Sequence, residues 1–258
     1  MYRAIADYRD FIIFALRNER TASFAGTVLG SLWSYIFPII QVIIYYFLVH
    51  VIFKRSGVPG IDPFLMIVVG IMHYTVVSAV LSASCNAIVA RANVLMHVRV
   101  EPLVFVALEF LKELRKGLEY LVILFVCYIY FAPTPHWGLA IYPVLIFVMF
   151  AGLWGPCLAL SVSNVFYRDV AHFVRMVLRV LIFLCPVIYH FSAVPERFWP
   201  FYFMNPLAGV FAWLQWSLLG GTMPPIWPLL WAVGCSLIVL ALGQWVYRTG
   251  RPKLAKRF

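Results

Sequence analysis

The sequence predicts an all-α integral membrane protein, a single domain over residues 1–258 with six transmembrane helices and both termini cytoplasmic, and three observations predict it. The chain is 64% hydrophobic and 12% charged, whereas about a quarter of residues are charged in soluble domains. Six apolar stretches can be marked out, at 32–53, 64–90, 118–131, 139–166, 177–191 and 226–247. Most of them supply the roughly 20 residues a span needs, and the two shorter ones can extend inward past amphipathic flanks. Charge, finally, sorts by side. Alternate polar pieces hold four, five, three and five Lys or Arg (Arg179, at the inner end of the fifth stretch, counted with the piece before it), and the pieces between them hold two, none and one. Basic residues at span ends stay cytoplasmic. Odd-numbered spans therefore run outward, in the inner membrane of a bacterium.

The first element, over residues 1–25, is a helix of another kind. Ile5, Tyr8, Phe11, Ile12, Ala15 and Leu16 recur at three- and four-residue spacing, with Asp7, Asp10, Arg17 and Asn18 on other faces. That pattern suits an amphipathic helix in the membrane interface, or one packed on another subunit. No cleavable signal peptide is visible, because seven charged residues interrupt the first twenty positions. The first span is then the insertion signal.

The largest cytoplasmic piece follows the second span. A short helix is expected at 92–98, ended by Pro102. Beyond it Glu109, Lys112, Glu113 and Lys116 form a charged stripe in which Glu109 with Glu113, and Lys112 with Lys116, are like-sign pairs four residues apart. Such a face does not support itself, and an external partner is preferred over water as what satisfies it. Between the fifth and sixth spans, residues 192–225 combine eight aromatic residues with repeated Pro and Gly. The apolar run 207–219 reaches ~20 Å as a helix, too short to cross. A re-entrant hairpin dipping into the outer leaflet is preferred over a folded surface cap.

Composition also excludes chemistry. There is no Gly-rich phosphate loop, so nucleotide hydrolysis belongs to another chain. No catalytic constellation, metal-ligand spacing or cofactor motif is present, and the five cysteines read as buried free thiols. The net charge of +10 flanks spans and forms no single basic face, which sets nucleic-acid binding aside. Glu119 stands at the inner edge of the third span and no acid lies deep in any other, which disfavours ion-coupled transport.

Two groups of residues are candidates for substrate. Arg168, His172, Arg175 and Arg179, spaced four, three and four apart, share one helical stripe at the cytoplasmic start of the fifth span. Two readings stand: attraction of the diphosphate of a lipid-linked substrate, or snorkelling to anionic headgroups. Tyr35, Tyr45 and Tyr46 crowd the first span, and Phe183 and Tyr189 the fifth. Aromatic faces stack on sugar rings, and they also make interface belts.

With those residues in view, the chain resembles the ABC-2-type permeases that export polysaccharides, a family covering O-antigen, teichoic-acid and capsule exporters. The resemblance runs from Leu29-Gly30-Ser31-Leu32-Trp33 and Pro38, through Asn93-Val94-Leu95 to Pro102. It continues through Tyr167-Arg168-Asp169, Cys185-Pro186-Val187-Ile188-Tyr189 and Val194-Pro195 to Asn205-Pro206-Leu207-Ala208-Gly209. It implies two copies of this chain forming a channel, driven by two copies of a cytoplasmic ATPase that binds ATP and Mg. It also implies that residues 91–106 form the coupling segment, with Asn93, Val94, Leu95, Met96 and His97 seated on that ATPase. The amphipathic start would touch the ATPase too, the first and fifth spans would line the polymer path, and the outward hairpin would gate its exit. Three positions depart from the pattern. Ala212 and Gln215 stand where many relatives place an acidic residue and an arginine, and Cys185 replaces the usual Ser. The expected function is export of a lipid-linked or lipid-terminated polysaccharide, of O-antigen (lipopolysaccharide), capsule or teichoic-acid type. The rivals are a membrane transferase acting on lipid-linked sugars, which would draw on Asp169, His172 or Glu119, and an ABC-2 exporter of drugs or small lipids.

Overall fold

The computed structural model describes residues 3–23, 32–54, 58–97, 100–131 and 137–254, and among these the architecture is all-helical. Residues 1–2 and 24–25 of the expected interface helix, the Leu29-Gly30-Ser31 motif, Val98 and Arg99, and His136 lie outside the described residues.

The amphipathic start forms α1 (Arg3–Asp7) and α2 (Arg9–Ser23). Its predicted apolar face packs within the chain. Ile12 is buried against Val104 and Leu108 of α6 (Pro102–Phe131), with Ile5, Tyr8, Ala15 and Leu16 around it. Arg115 of α6 donates to the Leu16 carbonyl at 2.7 Å. Ile13 and Phe14, off that face, are left exposed.

Among the described residues four stretches are long and apolar enough to cross a membrane: Tyr35–Ile52, Pro63–Asn86, Trp137–Phe166 and Trp227–Leu254. They contain α3 (Trp33–Tyr46, continued by a π turn over Phe47–Ile52), α4 (Pro63–Asn86), α7 (Tyr142–Phe166) and α11 (Trp227–Leu254). These are the helices of a multi-pass membrane protein. The other two expected spans differ in form. The third is the second half of the 30-residue α6, whose first half is the charged stripe. The fifth is the 16-residue α8 (Asp169–Leu184), ~24 Å long. It stops short of Phe191 because Pro186 lacks an N–H and disfavours helical backbone in the residue before it. Cys185 is accordingly extended, at φ −114° and ψ 154°.

The charged stripe overturns one expectation. Glu109 is paired with Lys112 at 3.0 Å and with Arg91 at 2.5 Å, and Glu113 with Lys116 at 2.7 Å. Pairs three residues apart, of opposite sign, meet on a helix as readily as pairs four apart. The face is therefore satisfied within the chain, and no external partner is needed to neutralise it.

Helix α4 is hydrophobic all round and buried all round, which makes it the centre of the bundle. Asp62 caps it, accepting from the Leu65 N–H at 3.0 Å, and Pro63 sits in its first turn. The side chains that α4 touches give the direction of its neighbours. His73, Val80 and Asn86 meet Tyr142, Cys157 and Asn164 in the same order, so α7 runs parallel to α4. Phe64 meets Phe131 and Val76 meets Gly117, so α6 is antiparallel. Phe64 also meets Tyr46 at the end of α3, and Tyr74 and Cys85 meet Leu178 and Ala171 of α8, so these two are antiparallel as well.

Helices α7 and α11 are parallel and share a seam of small residues. A Cβ on Gly152 would meet Ser236 at 2.6 Å, and one on Gly155 would meet the backbone of Val239 and Leu240 at 2.6 Å. A Cβ on Gly243 would collide with the Gly155 carbonyl. Such close backbone approach is how helices associate where lipid supplies no hydrophobic drive.

Between α8 and α11 the chain forms α9 (Trp199–Tyr202) and α10 (Pro206–Leu219). Asn205 caps α10, and with Pro206 it lines a crevice with Gly152 of α7 and Ser236 of α11. Those two residues lie ~14 Å along their helices from the starts of α7 and α11. The far end of α10 returns to Trp137 and Pro225, through Trp216 and Trp213.

Candidate binding cleft

Three stripes with four-residue spacing converge between α3, α4 and α8. Gln41 and Tyr45 come from α3, Tyr74, Ser78 and Ser82 from α4, and Arg175 and Arg179 from α8. With Leu178 and Ile182 they enclose a cleft of about 400 Å³. Helix α8 presents these arginines because its buried residues Ala171, Val174, Leu178 and Ile182 fix one face on α4. The Tyr74 hydroxyl donates to the Leu178 carbonyl, which locks the register of α8 against α4. Among the described residues no carboxylate lies within ion-pair reach of Arg175 or Arg179.

The cleft divides the predicted substrate residues. Arg175, Arg179 and Tyr45 line it. Arg168 precedes α8 and His172 lies in its first turns, both exposed, with Arg175 donating to the His172 Nδ1 at 3.0 Å. Tyr35 is elsewhere, donating to Glu119 and packed edge-on against Tyr120. Tyr46 packs on Phe64, with ring centroids 5.5 Å apart. Phe183 is exposed near the other end of α8, and Tyr189 donates to the Phe183 carbonyl at 3.0 Å. Sequence reasoning missed Gln41, Tyr74, Ser78 and Ser82. Their signal was a polar stripe at i, i+4, i+8 inside an otherwise apolar segment, the pattern already noticed for the arginines.

A buried amide holds the start of α8. Arg168, the residue before the helix, offers no side-chain cap. Asn164 of α7, 1% exposed, does it instead. Its Oδ1 accepts from the Ala171 N–H at 3.2 Å, while its Nδ2 donates to the Cys85 carbonyl at 3.1 Å and to Asn86 Oδ1 at 3.3 Å. One side chain thus joins the ends of α4 and α7 to the beginning of α8.

Beyond α4 the expected coupling residues form α5 (Ala92–His97). Asn93, Val94, Met96 and His97 are exposed, and Leu95 is partly buried against the core. On the far side of α5, Glu101 is bound by Arg251 at 2.5 Å and by the Tyr247 hydroxyl at 2.8 Å. The same hydroxyl accepts from the Leu103 N–H at 2.9 Å. The segment is therefore bracketed by the Asn164 junction to α8 and by this junction to α11.

At the opposite end of α8 the departures from the family pattern become intelligible. Gln215 donates to the Pro186 carbonyl at 2.7 Å and to the Tyr189 carbonyl at 3.2 Å, and Asn205 donates to the Leu184 carbonyl at 3.2 Å. Ala212 is fully buried beside Phe191 and Phe203. Neutral amides bind the carbonyls of Leu184, Pro186 and Tyr189 around the Pro186 break, so α10 is joined to the end of α8 by uncharged hydrogen bonds. Among the described residues no group of three or more His, Cys, Asp or Glu side chains could hold a metal ion.

No family model matches the chain. It is similar along nearly its whole length to the O-antigen export system permease protein RfbA of Myxococcus xanthus, 23% identical over 258 residues, which are 99% of this chain and 98% of that protein. It is also similar to a permease of the same name from Klebsiella pneumoniae, 24% identical over 242 residues and 90% of each chain. A second Klebsiella pneumoniae relative is 23% identical over 239 residues, again 90% of each. These relatives bear out the resemblance to polysaccharide export permeases drawn from the motifs.

Proposed function

We propose, from this end-to-end similarity to O-antigen export permeases, that the chain is the transmembrane subunit of an ATP-driven exporter of lipid-linked or lipid-terminated polysaccharide in a bacterial inner membrane. The observation that carries the reading is that the similarity covers the whole bundle, hairpin included, and not one segment of it. The helix directions support it. Helices α4, α7 and α11 run one way and α3, α6 and α8 the other, as six alternating spans with inside termini require. Because α7 and α11 are parallel, the chain between them must make one net crossing. Helix α8 supplies most of it, and the α9–α10 hairpin, with its tip against the middles of α7 and α11, returns to the outer side.

In this function the chain does no covalent chemistry. A partner ATPase seats on α5, and nucleotide binding to that partner biases α5 between two positions. The Asn164 and Glu101 junctions pass the displacement to α8 and α11. Two copies of the chain enclose the path, and exposed apolar faces on α3 and α8 (Phe37, Ile44, Met176, Val180) supply surface for lipid or for the second copy.

The test is deletion of the gene in its host, followed by fractionation of the cell's polysaccharide, with affinity purification of the tagged chain. Complete polymer trapped in the cytoplasm, and co-purification of a protein bearing a Walker motif, are the expected results. Polymer that reaches the surface but lacks a sugar or an acyl group identifies a transferase instead.

A further inference from the structure

The position of Arg179 does not suit a headgroup anchor. It follows Leu178, whose carbonyl takes the hydroxyl of Tyr74, and Tyr74 is the twelfth of the 24 residues of α4. Arg179 is the eleventh residue of α8, ~15 Å along it from Asp169, which places its Cα near the middle of the bundle. An extended arginine side chain does not span that distance. An ionisable group at such depth lines a cavity, pairs with a counter-charge or serves a pathway. Here the cavity is present, no carboxylate partner is found among the described residues, and a second guanidinium lies one turn away.

The neutral side chains around the pair add specificity. Gln41 and Ser82 are uncharged donors and acceptors on the opposite walls, Ser78, which donates to the Thr75 carbonyl at 3.0 Å, offers an acceptor, Tyr45 offers a ring edge and a hydroxyl, and Tyr74 a ring edge. Guanidinium forks match phosphate oxygens in a bidentate way. Amides and hydroxyls beside an aromatic ring match sugar hydroxyls and a sugar face.

We propose that this cleft is a phosphate-binding station within the transport path. Arg175 and Arg179 hold the oxyanion of a phosphate-bearing cargo, and Gln41, Ser78 and Ser82 take the hydroxyls of the sugar beside it. The sugar half rests on the export reading above, whereas the phosphate half rests on the two guanidiniums and the cavity. The phosphate has two candidate sources, the lipid-linked end of the cargo or phosphates within the polymer.

The test uses the full-length chain, with whatever subunit co-purifies, in phosphatidylcholine nanodiscs that carry no anionic lipid. Binding of inorganic pyrophosphate, farnesyl diphosphate and UDP-N-acetylglucosamine is measured by the shift in Tm and by titration. Removing one charge-assisted hydrogen bond should weaken binding ~10-fold or more. Arg179→Gln and Arg175→Gln should therefore lose affinity for all three probes, Arg179→Lys should recover part of it, and Arg248→Gln, on the exposed end of α11, should match the parent. Gln41→Ala and Ser82→Ala, which keep both charges, should weaken only the sugar-bearing probe. Tighter binding of farnesyl diphosphate than of pyrophosphate assigns the phosphate to the lipid-linked end, and equal binding assigns it to any phosphate of the cargo. Binding unchanged in Arg175→Gln/Arg179→Gln, or no binding of any probe by the parent, overturns the proposal. If binding depends on the arginines while the deletion strain exports its polysaccharide normally, the station stands and the export reading falls.

Discussion

Replacing Asn164 by Ala removes three hydrogen bonds and fills none of the space, which makes it the sharpest probe of how α8 is held. The Ala171 N–H is among the first donors of α8 and has no intrahelical acceptor, so it becomes an orphan. Loss of a helix cap costs about 0.5–2 kcal/mol. The Cys85 carbonyl, near the end of α4, loses its donor as well, and a buried unsatisfied acceptor costs about 1–3 kcal/mol. Hydrogen bonds between membrane helices run toward the low end of such ranges, so the expected loss is about 2–3 kcal/mol. Asn164→Asp keeps an acceptor for the Ala171 N–H but turns a carboxyl toward the Cys85 carbonyl and Asn86 Oδ1 at a buried position, so it should be no more stable than Asn164→Ala. Thermal and denaturant unfolding in detergent, followed by tryptophan fluorescence, measures both, with pyrophosphate affinity as a second readout because α8 carries both cleft arginines. An Asn164→Ala variant within about 0.5 kcal/mol of the parent, with unchanged affinity, would show that α8 is placed by its apolar face and that the amide junction is incidental.

Gly243→Val should drive a side chain into the Gly155 carbonyl and part α7 from α11, at about 1–3 kcal/mol or more. Gly234→Val on the open side of α11, where a Cβ meets nothing within 4 Å, should change stability by less than about 0.5 kcal/mol. Equal melting temperatures for the two would contradict the seam. Tyr247→Phe leaves the Leu103 N–H and Glu101 without their shared hydroxyl; a loss of about 1–3 kcal/mol and transport reduced relative to ATP turnover are expected in the reconstituted complex. Glu109→Gln removes the carboxylate that Arg91 and Lys112 share, whose side chains are 18% and 20% exposed, and should cost about 1–3 kcal/mol. Its effect should change little between low and high salt, whereas Glu113→Gln, opposite the more exposed Lys116, should lose most of its effect in salt.

Long-range order was legible in this sequence because membranes impose it through composition. Among the described residues four of the six stretches became helices long and apolar enough to cross a membrane, and the short helix before Pro102 formed where it was expected. The fifth stretch was read through to Phe191, whereas Pro186 ends its helix at Leu184. Pairing between helices was not legible. Glu109 sits four residues from a like charge and three from an opposite one, and the spacing says nothing of Arg91, eighteen positions away, which completes the pairing. The cleft was half visible: the arginines stand out in an apolar segment, but Ser78 and Ser82 are ordinary in a membrane helix until α8 is laid beside them. Tyr35, Tyr46 and Tyr189 show the converse, since aromatic abundance carries no direction and these rings went to packing and to the hairpin rather than to the cleft.

The mid-bundle arginine also bears on how the protein is made. Helix α8 is short, and insertion scales charge a central arginine about 2.5–3.5 kcal/mol against a gain of about 0.3–0.6 for each large aliphatic residue. With Arg175, Arg179 and His172 among its 16 residues, the segment does not partition into lipid on its own. In the six-span reading proposed above, it enters the bilayer once α3 and α4 are there to offer Gln41, Ser78 and Ser82 as a polar wall, and once Asn164 can receive its first turn. On that reading insertion of α8 and assembly of the cleft are one thermodynamic event, and a nascent chain that lacks the wall leaves α8 at the membrane surface.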